Sequence, residues 1–180
     1  TKEFPCTWPV LIVGESPRGI DPKSIFLLGV EQDAKRNHPE ALQFYRESAE
    51  HGFNFAHILL ADIYLSDTRI YGTIKDPHAA LEELVQVHKE YLTEEIVLTM
   101  ADLYAGEGDI DSGIEALRSI KQPTEHLRFE IAKRLSPFYG GNQPGEAVEI
   151  LQQLSDEGNS DAMMLLSRHL QSGYGVRRDK

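Results

Sequence analysis

The chain has 180 residues, of which 41% are hydrophobic and 26% charged, with a formal net charge of −11 and a pI near 5.0. That composition supports a buried core and points to neither disorder nor a membrane protein. An acidic surface repels nucleic acid and anionic lipid over most of its area, so the expected partners are proteins.

Residues 1–23 differ from the rest. They are rich in Pro and Gly, carry the single tryptophan, Trp8, and contain the longest apolar run, Trp8 to Val13. Pro9 interrupts that run and Gly14 ends it, far short of the ~20 residues a membrane-spanning helix needs. The segment reads as an extended cap lying along the first helices, with docking to another subunit as the alternative. Cys6, the single cysteine, forms no internal disulfide. It reads as a small, half-buried apolar residue, with lipid attachment or crosslinking as the alternative.

From Ser24 onward the pattern is periodic. Apolar runs begin at Ser24, Ala56, Ile96, Ile131 and Ala162, at intervals of 31 to 40 residues. In each, offsets zero, four and eight fall on one helical face. They are filled by Ala56, Leu60 and Tyr64; by Ile96, Met100 and Tyr104; by Ile131, Leu135 and Tyr139; and by Ala162, Leu166 and Leu170. Ser24, Leu28 and Gln32 form a weaker version. A small residue at offset five (Gly29, Ala61, Ala101, Ser136, Ser167) leaves room for a neighbouring helix. Four of the runs follow a partner helix, at Pro39–Gly52, Pro77–Glu90, Asp111–Ile120 and Pro144–Gly158. Pro39, Pro77 and Pro144 suit a first helical turn. Asp76 and Asp109 suit N-caps, and Gly52 and Gly158 suit left-handed C-caps. Pro137 falls inside the third of the later helices and is expected to kink or end it. Gly140–Gly141 then reads as a loose connection, and the stack is expected to change direction there.

The expected fold is all-α: a right-handed α–α superhelix, or solenoid, of about four and a half stacked helix–turn–helix units over residues 24–180. No unit buries its apolar face alone, so the units must stack.

Ala41, Phe44, Tyr45, Ala49, Gly52, Ala56, Leu60, Tyr64, Gly72, Asp76 and Ala80 stand at the spacing of the Sel1-like repeat, which this stretch resembles. A second match runs through Ala147, Gly158, Ala162, Leu166, Gly173, Gly175 and Asp179. The two middle units lack the glycine loop and look like degenerate tetratricopeptide units. The resemblance implies a scaffold or adaptor for protein complexes, set in the bacterial periplasm or outer membrane, as in exopolysaccharide export assemblies. The alternative is a regulatory peptide- or ligand-binding domain of a larger cytosolic signalling protein. The final apolar face, around Met163, Leu166 and Leu170, lacks a stacking neighbour in the sequence. It is expected to meet further repeats or a second copy.

No catalytic constellation stands out. The seven histidines include no HExxH pair, and no cysteine cluster accompanies them, so no metal or other cofactor is expected. His51 and His57 are near enough in sequence to approach each other, but no further ligands can be named. Gly106–Asp109 is too short for a phosphate cradle and reads as a turn leading to an N-cap. Gly14–Ser16 lacks the flanks of a nucleophile elbow. The pairs Glu82–Glu83 and Glu94–Glu95 are adjacent on helices and point to different sides. The chain therefore reads as a non-enzyme. The partner surface is expected on the first helix of each pair, at Gln43, Arg46, Glu47, Glu50, Glu83, Gln86, Arg118, Glu149 and Gln153. Phe53 and Phe55 are the aromatic anchor candidates, or else they pack against the preceding unit.

Overall fold

The computed structural model describes residues 21–67 and 69–176, and every regular element among them is helical. The chain divides into two compact units after Val87. The first holds α1 (Pro22–Ala34), α2 (His38–Glu50), α3 (Asn54–Leu65) and α4 (Pro77–Val85). The second holds α5 (Glu94–Gly106), α6 (Ile110–Arg118), α7 (Glu125–Leu135), α8 (Pro144–Asp156) and α9 (Ser160–Ser172). It also contains short 3-10 turns at Lys89–Tyr91 and Pro137–Tyr139. Inside each unit every helix packs chiefly on its sequence neighbours. The expected partner helix at Pro77–Glu90 stops at Val85, and its last residues enter the first 3-10 turn.

The first unit's core is Ala41, Leu42, Tyr45, Ala49, Phe53, Ala56, Leu60 and Ile63. In the second unit Val97, Ala101, Ile114, Leu117, Leu127, Ile131, Leu135 and Ala147 pack together, and Ala132, Leu151, Leu154, Ala162, Leu165 and Leu166 form a further cluster. Small residues set the helix spacing. A Cβ on Gly113 would sit 3.2 Å from the Ala101 carbonyl oxygen, so α5 and α6 approach backbone to backbone. A Cβ on Gly29 would stand 2.6 Å from the Tyr45 ring.

One turn recurs four times. After α2, the Gly52 N–H donates to Ala49 O (2.7 Å) and the Phe53 N–H to Ser48 O (3.1 Å), with Gly52 at φ +82°. This paired closure satisfies carbonyls that a helix end leaves open. Gly108 and Gly158 do the same after α5 and α8. After α1 the left-handed position is held by Arg36, at φ +62°. The predicted N-caps form: Asp76 accepts from the Ala79 N–H at 3.0 Å, and Asp109 from the Ser112 N–H at 3.1 Å.

Three expectations are corrected. In α1 the inward residues are Ile25, Phe26 and Gly29, while Ser24 and Leu28 face out. The buried face starts one residue later than the repeat spacing predicts, and one residue turns a helical face by about 100°. Pro137 lies just past α7 and not inside it, while the expected ending of the helix holds: α7 stops at Leu135, and Ser136 caps the following 3-10 turn through the Phe138 N–H. The Gly140–Gly141 connection is tight, because Gly141 N–H donates to Ser136 O and a Cβ on Gly141 would overlap the Arg134 and Leu135 backbone. The proposed N-terminal cap and Cys6 lie outside the described residues.

Candidate binding surface

Helix α2 buries Ala41, Leu42, Tyr45, Ser48 and Ala49. Gln43, Arg46, Glu47 and Glu50 therefore share its opposite face, at i, i+3, i+4 and i+7. Together with His51 they line an open concavity of about 430 Å³. An Arg46 Nη donates to the Tyr64 hydroxyl at 3.1 Å, and its guanidinium stands 6.0 Å from that ring's centroid. The Arg46 charge is thus drawn toward α3. The Glu47 and Glu50 carboxylates have no hydrogen-bond or ion-pair partner among the described residues. Such a surface offers acceptors and negative charge to a partner's donor side chains.

The remaining predicted residues of the first unit are placed differently. Phe53 is 7% exposed and packs on Phe26 and Phe55, with ring centroids 5.1 and 5.7 Å away. It follows the left-handed Gly52, whose turn sends the next apolar side chain back onto the helix. Phe55 is half-buried against the same cluster. Both rings hold α3 in place, and Phe53 offers nothing to a partner. Glu83 is held by His57, whose Nδ1 lies 2.7 Å from Oε2, which joins α3 to α4. Gln86 is exposed at the C-cap of α4.

In the second unit Arg118 pairs with Glu146 at 2.5 Å. Glu149 and Gln153 are exposed one turn apart on α8. The α9 face leaves Met163, Met164 and Leu170 exposed at 45%, 64% and 57%.

Two polar clusters were not anticipated. In the first, Asp33 at the end of α1 accepts from the Tyr45 hydroxyl (2.7 Å) and the Tyr71 hydroxyl (2.6 Å) through Oδ2, and its Oδ1 meets His38 Nδ1 at 2.9 Å. Burial, then the Asp33 hydrogen bond and charge, push both phenols well above the usual tyrosine range. In the second, Ser136 Oγ lies 2.8 Å from His169 Nε2, and His169 Nδ1 lies 3.1 Å from the Tyr174 carbonyl oxygen. A carbonyl only accepts, so Nδ1 carries the proton and Nε2 accepts from the serine hydroxyl. This has the spacing of a nucleophile and its base, yet both residues are 0% exposed and neither lines the concavity described above. It is a clasp between α7 and α9. For the first cluster the signal is Asp33, which stands eight residues after the inward Ile25, where other units carry Tyr or Leu; the second gives none, because Ser136 fits the small position at offset five.

One buried carboxylate needs compensation. Burial disfavours the Glu130 charge, but Lys133 and Arg134 hold it below its ordinary range, and Arg134 also reaches Asp102 on α5. No group of three or more metal-ligating side chains occurs among the described residues. His51 lines the concavity while His57 is committed to Glu83, so the two are not a ligand pair. No described helix is long and apolar enough to cross a membrane.

No protein-family model matches the chain, and no curated protein matches it significantly. Among solved structures it is similar to a Sel1 repeat protein from Oxalobacter formigenes, with a TM-score of 0.63 and 23% identity over 88% of this chain and 48% of that one. It is also similar to a protective antigen present in uropathogenic Escherichia coli strains, described as displaying an SLR fold. There the TM-score is 0.54 and the identity 21%, over 88% of this chain and 35% of that one. The chain thus spans about half and about a third of those two proteins. At such identities the likeness establishes the fold.

Proposed function

On the premise that this chain has the Sel1-like repeat fold, we propose that it is a protein-interaction module, a scaffold or adaptor that performs no chemistry itself. The observation that carries this reading is the α2 face. There Gln43, Arg46, Glu47 and Glu50 converge on an open concavity, while the Ser136–His169 pair, which has the spacing of a reactive centre, is sealed in the core. The partner would approach with donor or cationic side chains, and complementary charge would speed and select the encounter. The second unit, taken by itself, would offer polar contacts through Glu149 and Gln153, and through Arg118 only at the expense of its Glu146 pair.

The finer reading sets the module in a bacterial envelope assembly, periplasmic or attached to the outer membrane. Its support is the description of one fold relative as a protective antigen.

The test is charge reversal. The Glu47→Lys/Glu50→Lys double variant should keep the helical circular-dichroism spectrum, because both residues are exposed. Crosslinking and mass spectrometry in the native extract should then lose a partner that the unaltered chain captures. If both proteins capture the same set, the α2 face is not the binding surface. Turnover of a small molecule by the purified chain would reject the scaffold reading itself.

A further inference from the structure

Two turns of the first unit carry a bulky residue where the backbone favours glycine. Arg36 follows α1 at φ +62°, and Arg69 lies in the loop between α3 and α4 at φ +51°. The sister turns after α2, α5 and α8 use Gly52, Gly108 and Gly158 at that position. A residue with a Cβ loses conformational free energy there that glycine does not, so both arginines stand against local backbone preference. Their side chains are exposed and have no hydrogen-bond or ion-pair partner among the described residues. The carboxylates around them are already engaged. Glu31 pairs with Lys35 at 2.6 Å, Asp33 takes Tyr45, Tyr71 and His38, and Glu40 accepts from the Asn37 amide. Asp76 caps α4, and Asp67 faces Lys75 at 3.8 Å. In a chain of net charge −11 these two guanidiniums are spare positive charge.

The Asp33–Tyr71 hydrogen bond brings them to one region. Arg36 stands three residues after Asp33, and its N–H donates to Asp33 O at 2.9 Å. Arg69 stands two residues before Tyr71, in a turn closed by the Gly72 N–H donating to Arg69 O at 3.0 Å. The same loop exposes Ile70 (51%) and Ile74 (70%), the latter the most exposed large apolar side chain among the described residues. Tyr71, tied to Asp33, fixes the loop, so its side chains lose little further freedom on binding.

We infer that Arg36, Arg69, Ile70 and Ile74 form a second docking surface, whose partner is an acidic peptide segment carrying large apolar side chains. Charge complementarity selects this occupant. Guanidiniums bind carboxylates through paired hydrogen bonds, and the isoleucines gain from apolar cover. The surface is opposite in sense to the α2 face, where Glu47 and Glu50 repel an acidic segment. Anionic lipid fits less well, because a membrane plane also meets the acidic surroundings that a short peptide avoids.

The probe is a dye-labelled synthetic peptide in which Glu alternates with Leu and Phe, with Gln-for-Glu and Lys-for-Glu versions as controls. Fluorescence anisotropy should show the Glu peptide binding about tenfold tighter than either control, and weakening as salt rises. The Arg36→Gly/Arg69→Gly double variant suits both backbones, so it should keep or raise the melting temperature while losing about tenfold in affinity. Ile70→Ser/Ile74→Ser should weaken binding by a similar factor, and Glu47→Gln/Glu50→Gln should not weaken it. Failure of the Glu peptide to bind overturns the inference, as does equal binding of the Gln version or by the glycine variant. A lower melting temperature in the glycine variant gives the arginines a structural role and refutes it too. A loss in Glu47→Gln/Glu50→Gln moves the peptide to the α2 face, with the same consequence. Vesicles of phosphatidylcholine and phosphatidylglycerol that sediment the unaltered chain but not the glycine variant assign the surface to a membrane, and the peptide reading then falls.

Discussion

Two Tyr-Gly turns, Tyr71–Gly72 and Tyr174–Gly175, look alike in sequence, and both glycines sit at φ +73°. Their surroundings differ. Around Gly72 an added Cβ would meet nothing within 4 Å, whereas on Gly175 it would overlap the carbonyl group of Pro144 at the start of α8. The tyrosines differ as well. Tyr71 is held by its hydroxyl, donated to Asp33 of α1. Tyr174 is held by its carbonyl, which accepts from His169, and by its ring, 5.4 Å from that of Phe138. One motif thus serves two attachments: a phenol reaching across to an earlier helix, and a backbone packed against the neighbouring pair. The shared glycine reflects backbone conformation alone, and conformation does not reveal what the turn touches.

Substitutions in the two turns separate these roles. Gly175→Ala should have the largest effect, destabilising the protein by about 3 kcal/mol from overpacking and positive φ together, with faster hydrogen exchange at the N-terminus of α8. His169→Leu should follow, at about 2 kcal/mol in urea unfolding, because the Ser136 hydroxyl and the Tyr174 carbonyl lose a buried partner. Tyr71→Phe should cost about 1.5 kcal/mol, the value of a hydrogen bond to a charged acceptor. Gly72→Ala should cost about 1 kcal/mol, since only the backbone conformation is penalised. A Gly72→Ala cost equal to that of Gly175→Ala would erase the distinction between the turns.

Alkali provides the subtlest separation. The Tyr45 and Tyr71 phenols hold their protons more tightly in the fold than in the unfolded chain. Their contribution is whole below pH 10, the ordinary tyrosine value, and is lost as pH rises above it, because the unfolded chain then ionises first. Melting temperature should fall above pH 10, and Tyr71→Phe should flatten part of that fall. An unchanged slope in Tyr71→Phe would remove the phenol from the account.

Much of the fold was legible. Gly52, Gly158, Asp76 and Asp109 marked helix ends because caps depend on backbone groups a few residues away. Leu60, Leu135 and Leu166 marked inward faces because the helical period places them there. In α1 the period points to the wrong face, since Leu27, Leu28 and Val30 are apolar yet exposed and blur the contrast between faces. The α2 face was also legible, as the polar complement of a strongly patterned helix. Phe53 was harder, because an aromatic beside a turn looks the same whether it points in or out.

The sequence by itself determined where the helices lie, how they start and stop, and that they pair. These follow from local backbone chemistry and a 3.6-residue period. Only the tertiary structure decided which polar groups meet. Asp33 and Tyr71 are 38 residues apart, and Ser136 and His169 are 33 apart. No local preference encodes such meetings. They exist because packed helices bring distant side chains together, and a buried polar group must then find a partner.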